Sequence, residues 1–162
     1  MTAAIPNSVF GTSLKLDDGD LALAPGQPDA NGKAWLDLVL TSGADNFSQA
    51  LRVMIGTPFG SDPVNVKYGL DVAAIFTVAN AVRSIKDVIR LNLVKSLAVD
   101  DRVRDIGEIV FDDEAGFALL APELASGDPG AVARRARLWH AVVSFTTIAG
   151  GQQTIAVSGA AP

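Results

Sequence analysis

Asp100, Asp101 and Arg102 set two carboxylates and a guanidinium side by side at the end of a long apolar stretch. An arginine fork holds a carboxylate or carbonyl oxygens in its plane, so this trio suits docking or clamping more than bond-making. Proton transfer would call for paired acids, and Asp100 with Glu108 is the pair to consider. With 18 acidic residues in the chain, such a pair is expected by chance. The single histidine, His140, lies beside Trp139 in a strand-like run without a partner at ligand spacing, which fits a packed side chain rather than a catalyst or a zinc ligand. Asp17-Asp18-Gly19-Asp20 offers oxygen ligands but neither the spacing nor the closing glutamate of a calcium loop, so it reads as a solvated turn. No nucleophile elbow, phosphate-binding loop or dinucleotide fingerprint occurs. Cysteine is absent, which excludes disulfides, thiolate metal sites and cysteine nucleophiles. No cofactor and no metal is expected.

The element that must aim the acid–arginine corner is a helix. Ile85, Val88, Ile89 and Leu93 recur at spacings of three and four, so they stack on one face, with Leu91 extending it and Arg83, Lys86, Asp87 and Arg90 largely opposite. Asn92 and Ser96 fall inside the apolar arc, where a neighbouring backbone could satisfy them. Asn80 suits the N-cap, and Val72 to Ala81 has helical propensity. After the corner, Ile106 to Phe111 reads as a strand ended by Asp112-Asp113-Glu114.

Upstream, Met1 to Lys15 is small and polar with Pro6 and Gly11 as breakers, so an extended arm is expected. Ala24 to Gly32 reads as a loop and Trp35 to Thr41 as a strand, with Trp35, Asp37 and Val39 alternating with Leu36, Leu38 and Leu40. Phe47 to Ile55 reads as a short helical turn, and Thr57 to Pro63 as a loop because each proline removes a donor. Downstream, Phe117 to Ser126 reads as a short helix and Arg134, Arg135 and Arg137 as a solvated or interface face. Two strand-like runs, Leu138 to Ala149 and Thr154 to Ser158, are joined at Gly150-Gly151, which supplies the positive φ of a tight hairpin. Both faces of the first run are largely apolar, so each must be covered, by this chain or another. The expected fold is α+β: a small mixed or antiparallel sheet with a C-terminal β-hairpin packed on one or two central helices.

The length suits one domain over residues 1–162, and the net charge of −5 disfavours nonspecific nucleic-acid binding. No apolar run is long enough to span a membrane. Met1 to Phe10 lacks the basic start and apolar middle of a secretion signal, so no signal peptide is expected.

Two segments together carry a resemblance. The first is Leu51-Arg52-Val53-Met54-Ile55-Gly56-Thr57-Pro58-Phe59-Gly60, followed by Tyr68-Gly69-Leu70-Asp71; the second is the helix Ile85 to Leu97 with Asp100-Asp101-Arg102, running into Ile106 to Phe111. In this order they resemble the baseplate sheath-initiator family of contractile injection systems and contractile phage tails, also called tail-lysozyme-like baseplate wedge proteins. That family carries a Glu-Pro-Arg corner where this chain has Asp100, Asp101 and Arg102. The missing proline frees a φ and restores a donor, so a looser corner is expected.

The resemblance implies a non-enzymatic structural component that joins baseplate wedge or spike to the first sheath ring by strand addition. The N-terminal arm and loop would cover residues 1–33, a core with the motif helix 34–111, a connecting insertion 112–137 and the hairpin 138–158. Implied partners are the sheath protein, baseplate wedge proteins and central spike or hub proteins, in multiple copies, about six per particle, with no nucleic acid and no membrane. Assembly would take place in the cytoplasm, as part of a phage tail-like particle or virion baseplate. Interface residues would be Asp100, Asp101 and Arg102 at the corner and Thr154, Ile155, Ala156 and Val157 at the hairpin edge. Arg102 has a second reading, an internal clamp tying its own corner to the hairpin. Two other functions stay open: a small α+β enzyme, such as a peptidoglycan-cleaving glycosidase using Asp100 and Glu108, and a soluble binding domain that forms a homodimer through its hairpin.

Overall fold

A computed structural model describes residues 7–17, 19–71, 82–122 and 138–160. The chain divides into two compact units, Met1–Ala50 and Leu51–Pro162. The division falls inside one helix, Gly43–Gly56.

In the N-terminal unit residues 7–15 of the expected arm are built into structure, and residues 1–6 lie outside the described residues. A helical turn, α1 (Asn7–Phe10), buries Phe10 against Phe47, with the rings stacked 4.9 Å apart. Six short strands follow: β1 (Thr12–Leu14), β2 (Leu16–Asp17), β3 (Asp20–Leu21), β4 (Leu23–Pro25), β5 (Leu36–Leu38) and β6 (Leu40–Ser42). They form three antiparallel ribbons, β1 with β6, β2 with β3 and β4 with β5. The ribbons meet where three segments change partner. There the Lys15 N–H donates to Val39 O (2.7 Å), Val39 N–H to Ala22 O (3.0 Å) and Ala22 N–H to Lys15 O (2.9 Å). This closed ring satisfies the backbone of all three switch residues. It also explains why the predicted strand Trp35 to Thr41 is interrupted at Val39, and why Leu23 to Pro25, expected to be mostly loop, pairs as a strand. Gly43, at φ +64°, turns β6 into α2 (Gly43–Gly56), longer than the turn the sequence suggested.

The C-terminal unit carries the α+β arrangement. After α2, Pro58 bridges Leu70 in parallel. Next come α3 (Val82–Leu97), β7 (Val103–Phe111), a four-residue turn of helix α4 (Phe117–Leu120), β8 (Leu138–Thr147) and β9 (Gln152–Ala160). The three strands form one antiparallel sheet in the order β7-β8-β9. Gly150, at φ +84°, makes the predicted hairpin turn. Ile89, Leu93 and Leu97 of α3 are buried, whereas Leu91 is 53% exposed. Leu91 therefore does not extend the apolar face: two residues on from Ile89 it has rotated about 200°, to the far side. On the sheet, Val143, Phe145, Ile155 and Val157 are buried on one face. On the other, Val142 packs with Val110, Phe117 and Ala121. Both apolar faces of β8 are thus covered within this chain. Val72 to Ala81, Asn80, the second half of the Phe117 to Ser126 segment and Arg134, Arg135 and Arg137 lie outside the described residues.

Candidate functional site

The two motif segments come together around Gly69. Leu70 N–H donates to Thr57 O (2.8 Å) and Phe59 N–H to Leu70 O (2.9 Å), tying the Tyr68-Gly69-Leu70 stretch to the Thr57-Pro58-Phe59 loop. From α3, Ser96 Oγ donates to Gly69 O (2.8 Å) and Asn92 Nδ2 to Asp71 O (3.3 Å). The two polar residues inside the apolar arc therefore anchor the neighbouring backbone, as their position suggested. Gly69 sits at φ +108°, and a Cβ there would lie 2.5 Å from Thr57 O. Only glycine fits this crossing.

α3 then delivers the corner. Arg102 Nε donates to Asp100 Oδ1 (2.9 Å) and its Nη2 to Oδ2 (2.7 Å), a two-pronged pair. The same carboxylate accepts the Arg102 N–H (3.0 Å), while Asp100 O accepts the Val103 N–H (2.9 Å). An aspartate is short enough to close this turn on its own backbone two residues on. The corner is consequently pinned without proline, and the expected looseness is not found. Ile148 N–H donates to Arg102 O (3.0 Å), joining the corner to the hairpin turn. The guanidinium thus holds its own corner, and the tie to the hairpin runs through the Arg102 backbone carbonyl. Burial pushes the Asp100 carboxyl upward, but the hydrogen bonds from Arg102 side chain and backbone, with its charge, outweigh that and leave it below the ordinary carboxylate value. Tyr68 is raised, by burial first and then by the Asp100 charge. An acid held ionised is the reverse of what a glycosidase general acid requires. Asp101 is exposed. Among the described residues no three His, Cys, Asp or Glu side chains cluster to hold a metal ion.

The sheet has two edges of different build. β7 carries two register shifts, one between Val103 and Asp105 and one between Ile106 and Ile109. At the second, Ser144 Oγ accepts the Glu108 N–H (2.8 Å), and a Cβ on Gly107 would come within 2.7 Å of that oxygen. Further along, Arg90 Nε donates to Ile109 O (3.2 Å) and Glu114 Oε2 accepts the Phe111 N–H (3.0 Å). Arg90 and Glu114 also pair with each other. One carbonyl and one N–H beside it are thus capped by an ion pair that stands in for the peptide groups of a further strand. Burial raises the Glu114 carboxyl, while hydrogen bonds from Arg90 and Phe111 and the charges of Arg90 and Lys86 lower it further, so it stays below the usual carboxylate range. Lys86, paired with Asp113, and Arg90 both lie over the Phe111 ring. No local signal announces this cap: Arg90 reads as lying opposite the apolar helix face and Glu114 as part of a strand-ending acid run.

β9 is different. It pairs with β8 without a break from Leu138↔Ala160 to Thr146↔Gln152, and among the described residues it has no other strand neighbour. The Thr147 N–H donates to Gly151 O (2.9 Å). Antiparallel alternation from that bond turns the peptide groups of Gln153, Ile155 and Val157 toward β8, and those of Thr154, Ala156 and Ser158 outward. The four expected edge residues therefore divide. Thr154 and Ala156 carry the outward donors and acceptors. Ile155 and Val157 are buried, at 1% and 6% exposure, and do not serve as interface side chains. At the far end Trp139 covers Gly159, whose missing Cβ makes room for the indole.

No helix among the described residues is long and apolar enough to cross a membrane. No family model matches the chain, and no curated protein or solved structure matches it significantly.

Proposed function

We propose that this protein is a non-enzymatic structural adaptor of a contractile baseplate, a sheath initiator that accepts an extended arm of the first sheath ring as a strand beside β9. The observation that carries the reading is the asymmetry of the sheet: the β7 edge is bulged and capped, while β9 keeps regular register and outward peptide groups at Thr154, Ala156 and Ser158. Strand addition uses such groups for affinity and alternate side chains for register. The corner Asp100-Asp101-Arg102 then acts from within, fixing the hairpin turn through Ile148, so the edge is presented at a set angle. Wedge and spike proteins would meet the exposed Asp101 and the surfaces around it, in multiple copies per particle assembled in the cytoplasm.

The test mixes purified protein with the sheath subunit of the same machine and follows sheath growth by electron microscopy. Ordered sheath should start from this protein. Thr154→Pro removes one outward donor without touching the β8 ladder, and seeding should fall at least tenfold, a loss of about 1.4 kcal/mol, while the fold survives. Equal sheath growth without this protein sinks the reading. Peptidoglycan turnover by the purified chain, abolished by Asp100→Asn, would favour the enzyme instead.

A further inference from the structure

The three ribbons of the N-terminal unit repeat one tripeptide pattern: Leu14-Lys15-Leu16, Leu21-Ala22-Leu23 and Leu38-Val39-Leu40. In each, the middle residue is a switch residue of the hydrogen-bonded ring. Register sets the flanking leucines directly opposite one another, as Leu14↔Leu40, Leu16↔Leu21 and Leu23↔Leu38. Directly paired residues share a face, and residues two apart along a strand share it as well. All six leucines therefore lie on one face of the junction. Lys15, Asp17, Asp20 and Asp37 alternate onto the other.

Leu23 is 56% exposed and Leu40 65% exposed, and Leu36, on the same face, is exposed too. With Leu14, Leu21 and Leu38, exposed as well, they make one contiguous apolar patch rather than scattered single side chains. No charged residue of the six strands points from that face.

We propose that this leucine face is a self-association surface, covered by the same face of a second copy of the chain. Size is one argument. A stable interface is a contiguous surface of many side chains, and the seven leucines with their uncharged neighbours Thr12, Pro25 and Ser42 form one across all three ribbons. Charge is the other. The chain carries a net charge of −5, which opposes self-association across most of its surface, but the strand residues of the leucine face carry no charge to repel their own copy. A two-fold contact would set leucines on leucines. A lipid surface fits less well, because membrane-binding faces are rimmed by lysine and arginine, whereas the three charged residues of these strands, Asp17, Asp20 and Asp37, are all aspartates. The inference does not depend on the sheath-initiator reading, and sheath seeding can fail while self-association stands.

Sedimentation velocity of the full chain over a wide dilution series tests it. At high concentration the sedimenting species should have twice the mass of one chain, and the double variant Leu38→Glu, Leu40→Glu should weaken self-association at least tenfold. Since the chain has no cysteine, Leu40→Cys and Asp37→Cys can be compared without background, using a short bismaleimide on the folded protein. Cross-linked dimer is expected from Leu40→Cys and not from Asp37→Cys. A monomer at every concentration overturns the proposal, as does a dimer unaffected by the glutamates or equal cross-linking from both cysteines. Binding of a monomer to neutral lipid vesicles would overturn it in favour of a lipid surface.

Discussion

Along β7, the ladder to β8 shifts register twice, with Gly107 pressed against Ser144, and the Arg90–Glu114 pair occupies the outer side; along β9, a regular ladder leaves backbone facing outward at every second residue. Both strands belong to one antiparallel sheet and lie equally close to β8, so the difference is not one of position. It comes from what the chain adds to each strand. β7 is followed by the acid turn that supplies Glu114 and faces α3, which supplies Arg90. β9 ends the described chain with short polar side chains, Thr154 and Ser158, on its exposed face. Exposed strand edges invite further pairing, and proteins close those that must stay single. An edge left regular, opposite one that is capped, is what the proposed strand addition requires.

The largest test of this contrast is Gly107→Val. A side chain there collides with Ser144, so the bulge must open or the strand shift, and a loss of about 2–3 kcal/mol in urea unfolding is expected. Ser144→Ala should cost about 1–2 kcal/mol, since it strips the Glu108 N–H of its acceptor. Arg90→Ala exposes the capped β7 edge for about 1 kcal/mol or less of stability, because the pair is a third exposed. Its sharper readout is amide exchange, which should rise at Phe111 while β9 is unchanged. If β7 stays protected, the cap is not what closes that edge.

Acid provides a milder probe of the same cap. Glu114 and Asp100 both have folded pKa values below their unfolded ones. Their contribution is complete above the ordinary carboxylate range and is lost as pH falls through the lowered folded values. Stability should hold near neutrality and decline progressively below about pH 4, and Glu114→Gln should flatten part of that decline. A variant with the same acid slope as the parent would remove Glu114 from the account. The smallest effect is expected at Thr154→Pro, under about 1 kcal/mol in stability.

Much of the C-terminal unit was legible in the chain. Period and turn chemistry mark α3, β7 and the hairpin, and Asn92 and Ser96 announced a backbone partner by sitting in an apolar arc. Leu91 was misread because an apolar residue at the margin of a helical face looks like an extension of it until the neighbours are known. The edge cap was invisible: Arg90 and Glu114 are 24 residues apart and meet only because α3 and the turn after β7 converge. The N-terminal unit was the harder half. Its strands have only two or three residues each, too short to set a period, and the segments that carry them change partner at Lys15, Ala22 and Val39.

The sequence by itself determined the α+β class, the helix that carries the corner, the hairpin and the absence of thiol chemistry, because these follow from local periodicity, turn residues and composition. Tertiary structure alone decided that Arg102 pairs with Asp100 and that its carbonyl meets the hairpin turn, that Ile155 and Val157 face the core, that one edge is capped and the other is not, and that six leucines share one open face. Those outcomes depend on register and on which distant groups meet, and neither is written into any local stretch of the chain.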